Sequence, residues 1–386
     1  MESFVGPNHG GDRGGCDKKE KIVYLPVAPH VAAMTRFSSS LPKQMNFLMP
    51  GEALVMLNGI MAKGCCYVPM VAITGPGDPL AVPDTTMKTI QLVKAQYPDI
   101  DIGLKTLGFG GKRFAKELAE AGVTYVEMQM DAVKHDVLER LYAWIRPGLK
   151  TLKISDAVQL LLQEQRAAIP ALKKEGINVS IVTTIFPGIN ADHVQQLSRY
   201  VKMLGADSIS LIPYEPEKDT EVPLRSPGDL LMQEVEDMAG RYLPVVASRL
   251  RGEMSSVKDE PGDDMVSLPL PKPTTTRQNV AVVSSNGMDV NQHLGKATRV
   301  LIYGPREDGL TCLLETRTAP RPGSGVERWK EFSSLLEDCF VILAASAGDA
   351  PRKALSEYGV RVIVTDENIE GSVDVLYGGS KKSKKK

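Results

Sequence analysis

Residues Asp101–Met130 read DIGLKTLGFGGKRFAKELAEAGVTYVEMQM. DIGLKT and TYVEMQM are short apolar runs of strand length. Between them GKRFAKELAEAG carries its apolar residues at helical spacing and ends on glycine, as helices do. Strand, helix and strand in so short a stretch make a βαβ unit, whose two strands run parallel. The same alternation extends both ways. KIVYLPVA and YVPMVAIT read as earlier strands, NVSIVTTI and SISLIP as later ones. The intervening helices are GEALVMLNGIMAKG, PDTTMKTIQLVKAQYP, KHDVLERLYAW, SDAVQLLLQEQRAAIPALKKEG and ADHVQQLSRYVKMLG, with one more near Ser226 to Arg251. An α/β fold follows, with a parallel sheet covered by helices, either open or closed into a partial (β/α) barrel. In both forms ligands belong at the C-terminal ends of the strands.

Outside this region the composition changes. Residues 1–20 are Gly-rich and polar and are expected to be disordered. The stretch 252–276 is rich in Pro, Ser and Asp and reads as a linker, so the first domain is expected over 21–251. Residues 277–379 form a second, smaller α/β pattern: strands NVAVVSS, TRVLIYG, LTCLLETRT, CFVILAAS and VRVIVTD, with helices near VERWKEFSSLLED and APRKALSEYG. The basic tail KKSKKK, within 380–386, reads as a solvated charge run.

The chain has 386 residues, a formal net charge of −1 and 42% hydrophobic residues. This balance argues against a general nucleic-acid binder. No apolar run reaches membrane-spanning length, and the N-terminus lacks a basic start followed by an apolar stretch. The five cysteines, Cys16, Cys65, Cys66, Cys312 and Cys339, are sparse and unpaired in spacing, which suits a reducing cytoplasm. Adjacent Cys65 and Cys66 read as packing residues, since in extended chain they point to opposite faces.

Three strand ends carry candidate chemistry. AITGPGDPL (Ala72–Leu80) is a tight turn with bare backbone, and Asp78 offers a carboxylate. In TTIFPGINADH (Thr183–His193), Asn190 or Asp192 can cap the next helix, and His193 reads as a surface residue of its first turn. SSNGMDVNQHLGKA (Ser284–Ala297) holds His293, whose imidazole is a candidate metal or cluster ligand.

In order, LPVAP (Leu25–Pro29), GPGDPL (Gly75–Leu80), FPGIN (Phe186–Asn190), VNQHLGKA (Val290–Ala297) and the ending ALSEYGVRVIVTD…LYGG resemble the NifB family of nitrogenase cofactor biosynthesis, over Lys21 to Gly379. The resemblance implies a partial (β/α) barrel of radical S-adenosylmethionine (SAM) type. It further implies a NifX/NafY-like, ribonuclease H-like α/β domain that handles the iron-molybdenum cofactor or its precursor. The family builds that precursor from iron–sulfur clusters with a SAM-derived carbide, beside other nitrogenase cofactor-assembly proteins. By the resemblance, Gly75, Pro76, Gly77 and Asp78, with Asn190, are candidates to hold SAM, and His293 is the candidate cluster ligand of the second domain.

The family binds its reducing four-iron cluster through C-x-x-x-C-x-x-C after the first strand. Those positions here are Val31, Thr35 and Ser38. Valine cannot ligate iron, and hydroxyls are poor substitutes for soft thiolates. The family's N-terminal cysteine motif corresponds to His9-Gly10-Gly11, and no cysteine lies between Cys66 and Cys312. The Ser-Thr-Asn-Gly of the family corresponds to Lys105-Thr106-Leu107-Gly108, so a polar contact near the SAM site is expected to be lost.

The leading expectation is a catalytically silent relative without the barrel [4Fe-4S] cluster. It would act as scaffold, carrier or regulator, with SAM at Gly75–Asp78 and a cluster or cofactor precursor on the second domain as its candidate ligands. One alternative is an active SAM-dependent iron–sulfur enzyme using unorthodox ligands such as His30, Cys16 or Cys65. The other is a protein-interaction module whose basic tail meets an acidic partner. No nucleic-acid or membrane partner is expected.

Overall fold

The computed structural model describes residues 21–38, 47–63, 67–147, 152–217, 220, 222–250, 270–305, 311–323 and 325–377. Cys16, Cys65, Cys66, the leader, the tail and most of the expected linker lie outside them. Two compact units are present. One comprises 21–26, 30–38 and 57–250; the other 27–29, 47–56 and 270–377.

In the first unit, β1 (Val23–Pro26) is followed by β2 (Ala33–Thr35), α1 (Pro50–Lys63) and β3 (Met70–Thr74). Then come α2 (Pro83–Gln96), β4 (Asp101–Thr106), α3 (Gly111–Glu120) and β5 (Val123–Gln129). The unit continues with α4 (His135–Leu141), β6 (Tyr142–Ile145), α5 (Ile154–Lys174) and β7 (Asn178–Ile185), and ends with α6 (Val194–Leu204), β8 (Ser208–Pro213) and α7 (Asp229–Gly240). The first residues of α1 are grouped with the second unit. Six strands pair in the order β1-β3-β4-β5-β7-β8, every neighbour parallel. This is the expected barrel-type sheet. Ile102 and Leu104 of β4 and Val179 and Ile181 of β7 are fully buried, which gives the sheet its apolar helix-facing side.

Two expectations are corrected in this unit. The helix KHDVLERLYAW stops at Leu141, because Tyr142–Ile145 pairs antiparallel with β2 as a separate ribbon. Tyr, Trp and Ile favour the extended state once a partner strand is offered. The loop after β1 is therefore part strand. The helix near Ser226 to Arg251 is likewise shorter, ending at Gly240.

The second unit contains β9 (Asn279–Val282), β10 (Arg299–Pro305), β11 (Thr311–Thr318), α8 (Gly325–Ser334), β12 (Cys339–Ala344), α9 (Asp349–Glu357), β13 (Arg361–Val364) and α10 (Ile369–Leu376). The sheet order is β11-β10-β9-β12-β13. Alternation splits its core between two faces. Ala281, Ile302 and Ile342 pack with Trp329, Phe332 and Leu355; Val282, Leu301 and Leu343 pack with Ile369 and Val373 of α10. Helix α10 was not expected from the sequence.

Candidate functional site

The C-terminal ends of β3, β4, β5 and β7 form a rim where buried polar side chains converge. After β3, the Gly75–Asp78 turn is closed by the chain itself. The Asp78 N–H donates to His30 O at 2.9 Å, and a Cβ at Gly77 would overlap that same carbonyl. Only glycine permits this approach. The Asp78 carboxylate is 5% exposed and accepts from Leu80 N–H (2.8 Å), Leu107 N–H (2.7 Å) and the Thr106 hydroxyl (2.8 and 2.9 Å). Burial raises its carboxyl above the ordinary range, against these hydrogen bonds. The expectation that Asp78 offers a carboxylate to a ligand is thus corrected: it latches the β3 turn to the end of β4. Thr106, which donates to Asp78, also accepts from Gly108 N–H at 3.0 Å.

Asp131, just past β5, is a second hub. Its carboxylate accepts from Gln129 Nε2 (2.7 Å), Thr184 N–H (3.0 Å) and the Tyr142 hydroxyl (2.8 Å). Burial raises its pKa and pushes the Tyr142 phenol well above its ordinary range. Gln165 of α5 donates to Leu107 O (3.0 Å) and Gln129 O (2.9 Å) and so joins the ends of β4 and β5. Sequence reading missed Asp131, Gln129 and Gln165. The run Y-V-E-M-Q-M-D carried a signal for two of them: polar residues at every second position of an otherwise apolar strand.

Asn190 is buried and does not cap the following turn (Ala191–His193). Its side chain accepts from Phe186 N–H at 2.8 Å and donates to Asp131 O (2.9 Å) and Thr184 O (2.8 Å). His193 is buried too, at 7% exposed, and its Nε2 accepts from Val133 N–H at 3.1 Å. The surface reading of His193 is corrected: the ring ties the loop after β7 to the one after β5.

The cluster-loop positions are Val31, Thr35 and Ser38. The Thr35 and Ser38 hydroxyls are hydrogen-bonded to each other at 2.8 Å, and Phe37 N–H donates to Thr35 Oγ1 at 3.3 Å. Between them Phe37 packs at a tilt against Phe186 (5.6 Å) and edge-on against Tyr214 (6.2 Å), and Tyr214 donates to Phe37 O at 2.9 Å. In the second unit, His293 is exposed at the end of the loop after β9. Its Nδ1 accepts from Gly295 N–H at 2.8 Å. Among the described residues no three His, Cys, Asp or Glu side chains gather as a metal-binding group.

Residues 69–201 match the family model of the radical SAM superfamily, and 277–378 match that of dinitrogenase iron-molybdenum cofactor. The FeMo cofactor biosynthesis protein NifB of Chlorobaculum tepidum is 32% identical over 377 residues, covering 92% of this chain and 89% of that one. The chain belongs to the NifB family. NifB of Frankia alni is 28% identical, covering 84% of this chain and 77% of that protein. A solved radical SAM methyltransferase from Sphaerobacter thermophilus is 18% identical, with a TM-score of 0.46 over 62% of this chain and 68% of that one.

Set against the NifB family, the loop does not fit the four-iron cluster that radical SAM chemistry requires. Three thiolates on three irons must stand apart around a cluster. Here the donors at two positions are hydroxyls bonded directly to each other, and the third is an alkyl group. The Gly75–Asp78 turn likewise spends its acid and the Asp78 amide on its own chain. The rim joins four strand ends and the β2–β6 ribbon through buried polar groups, of which Gln165 Oε1 has no hydrogen-bond partner.

Among the described residues no helix is long and apolar enough to cross a membrane.

Proposed function

We propose that this protein serves nitrogenase iron-molybdenum cofactor assembly as a catalytically silent NifB-family member, a scaffold, carrier or regulator working beside the assembly proteins. Family membership over nearly the whole chain supports the pathway. The observation that carries the silence is the Thr35–Ser38 hydroxyl pair at 2.8 Å, where the family places two cluster thiolates. Without a cluster no electron reaches SAM, and homolytic cleavage has no source. The backbone of Gly75–Gly77 is what remains of a SAM cradle, and Asn190 shapes the rim beside it.

The carrier role falls to the second unit, with His293 as its cluster ligand. The Gly295 N–H fixes the neutral ring with its proton on Nε2. Ligation through Nε2 therefore displaces that proton and gives up or rearranges the Gly295 bond.

Anaerobic iron–sulfur reconstitution tests the reading, followed by iron counting and electron paramagnetic resonance with and without SAM. The expected result is no four-iron signal that responds to SAM in the native sequence. Such a signal in the V31C/T35C/S38C variant is expected, since thiolates then return to the loop. A SAM-responsive signal or 5′-deoxyadenosine from the native sequence would overturn silence and favour the unorthodox-ligand enzyme. Loss of a delivered cluster in His293→Ala would support the carrier role; a chain that takes up neither cluster nor SAM would be an interaction module.

A further inference from the structure

At the opposite end from the rim, the barrel is filled by its own chain. Residues following α7 run beside β8: Ile209 N–H donates to Pro244 O at 3.0 Å and Val246 N–H to Ile209 O at 2.9 Å. The chain then meets Glu127, which is on the same side of β5 as Tyr125 and is completely buried. Oε2 accepts from the Ser248 hydroxyl at 2.7 Å. Oε1 accepts from Arg249 N–H (2.7 Å), Leu250 N–H (3.1 Å) and the Tyr125 hydroxyl (3.1 Å). Four donors satisfy a carboxylate. Tyr24 of β1 adds a hydrogen bond to Arg249 O at 3.1 Å.

The Leu250 side chain is 1% exposed and packs with Met70, Ala72 and Tyr125. A Cβ at Gly103 would stand 3.0 Å from its Cδ2, so glycine on β4 makes room for it. Three neighbouring strands, β3, β4 and β5, thus converge on one leucine, and β1 reaches the adjacent Arg249 through Tyr24. Outside it opens a cleft of about 400 Å³, lined by Met70, Asp101, Asn178 and Ser208, the first residues of β3, β4, β7 and β8, together with Val246 and Arg249. That lining fixes the location as the N-terminal end of the barrel. Toward the rim lies Ser210, two residues along β8 from Ser208, whose hydroxyl donates to Ser180 at 2.9 Å. Ser210 therefore shares this inner face. Its hydroxyl is buried and has no hydrogen-bond partner.

We infer that Ser248–Leu250 is a plug that closes the N-terminal end of the barrel, and that Glu127 is the positioning residue that locks it. The barrel interior is then a cup entered from the rim, and Leu250 sets how deep a guest can sit. This holds whether or not the barrel is catalytic.

Ser210→Cys in the full chain supplies a reporter, with alkylation by iodoacetamide followed by peptide-resolved mass spectrometry, since other cysteines are present. With the plug in place, labelling at position 210 is expected to be slow. Glu127→Gln removes charge-assisted bonds to the plug, and labelling is expected to rise about tenfold or more as the open fraction grows. Leu250→Ala, which leaves the Glu127 bonds intact, is expected to raise it as well. It carries the test should Glu127→Gln fail to fold. An unchanged labelling rate in folded variants would overturn the inference. Amide exchange at Arg249 and Leu250 gives a second readout: acceleration confined to these amides in Glu127→Gln supports the lock, and unchanged exchange overturns it.

Discussion

His193 works as an acceptor, and that fixes its charge. Nε2 can take the Val133 N–H only while unprotonated. Burial lowers its pKa, nearby Lys134 lowers it further, and Asp136 opposes both. The unfolded chain, with an imidazole pKa of about 6.5, then binds a proton more readily than the native one. Stability from His193 is fully present above that value and is lost as pH falls from there through the lower native value. Asp78 and Asp131 act with the opposite sign, because burial raises their pKa values and acid favours their folded, protonated forms. Comparison with a variant isolates the histidine. His193→Gln is expected to flatten the fall in Tm between about pH 7.5 and 5.5 relative to the native chain. Parallel pH profiles of Tm would show that His193 binds protons equally in the folded and unfolded states.

The β2–β6 ribbon is the element where fold and function meet. It holds the loop after β1 through backbone pairing of Ala33–Thr35 with Tyr142–Ile145, beside the Phe37, Phe186 and Tyr214 ring cluster. Tyr214→Phe leaves the Phe37 carbonyl without its donor and is expected to cost about 1–3 kcal/mol in denaturant unfolding. Phe37→Ala removes the ring at the centre of the cluster and is expected to cost about 3–5 kcal/mol. A loss below about 0.5 kcal/mol in both, the size of an ordinary surface change, would show the loop is not held by this cluster. The parallel sheet was legible in sequence because strand and helix periods alternate cleanly. The ribbon was not, because YAW continues the amphipathic pattern of α4 and only the partner strand makes it extended. The same limit applies to the site. Val31, Thr35 and Ser38 were found by chain position, and their lack of thiolates needed no coordinates. Asp78 was found as well, but its role was misread. A carboxylate in a glycine turn looks available until Leu80 of the same turn and Thr106 and Leu107 from the end of β4 donate to it. His193 and Asn190 were misread for the same reason: their partners, Val133 and Asp131, lie far along the chain.

At the scale of the whole molecule, the two units have separate cores, and each holds one of the chain's two tryptophans. Trp144 sits on β6 with the Arg146 guanidinium 4.5 Å from its ring centroid. Trp329 is buried on α8 against Phe332, at 5.7 Å between ring centroids. Single-tryptophan variants therefore report the units one at a time: Trp329→Phe leaves the first visible, Trp144→Phe the second. Chains with more than one core need not unfold in a single step. Phe332→Ala empties a fully buried ring position in the second core, a loss of about 3–5 kcal/mol. In the Trp144→Phe background it is expected to move the urea midpoint seen by Trp329 to lower concentration. In the Trp329→Phe background the Trp144 midpoint is expected to stay where it was. Leu104→Ala, in the sheet of the first unit, is expected to do the reverse, at about 2–5 kcal/mol. If each substitution moved both midpoints equally, the units would unfold as one cooperative body. A carrier unit could not then keep its fold and its cargo while the barrel rearranged. Independent midpoints would mean that each unit keeps its fold while the other is perturbed.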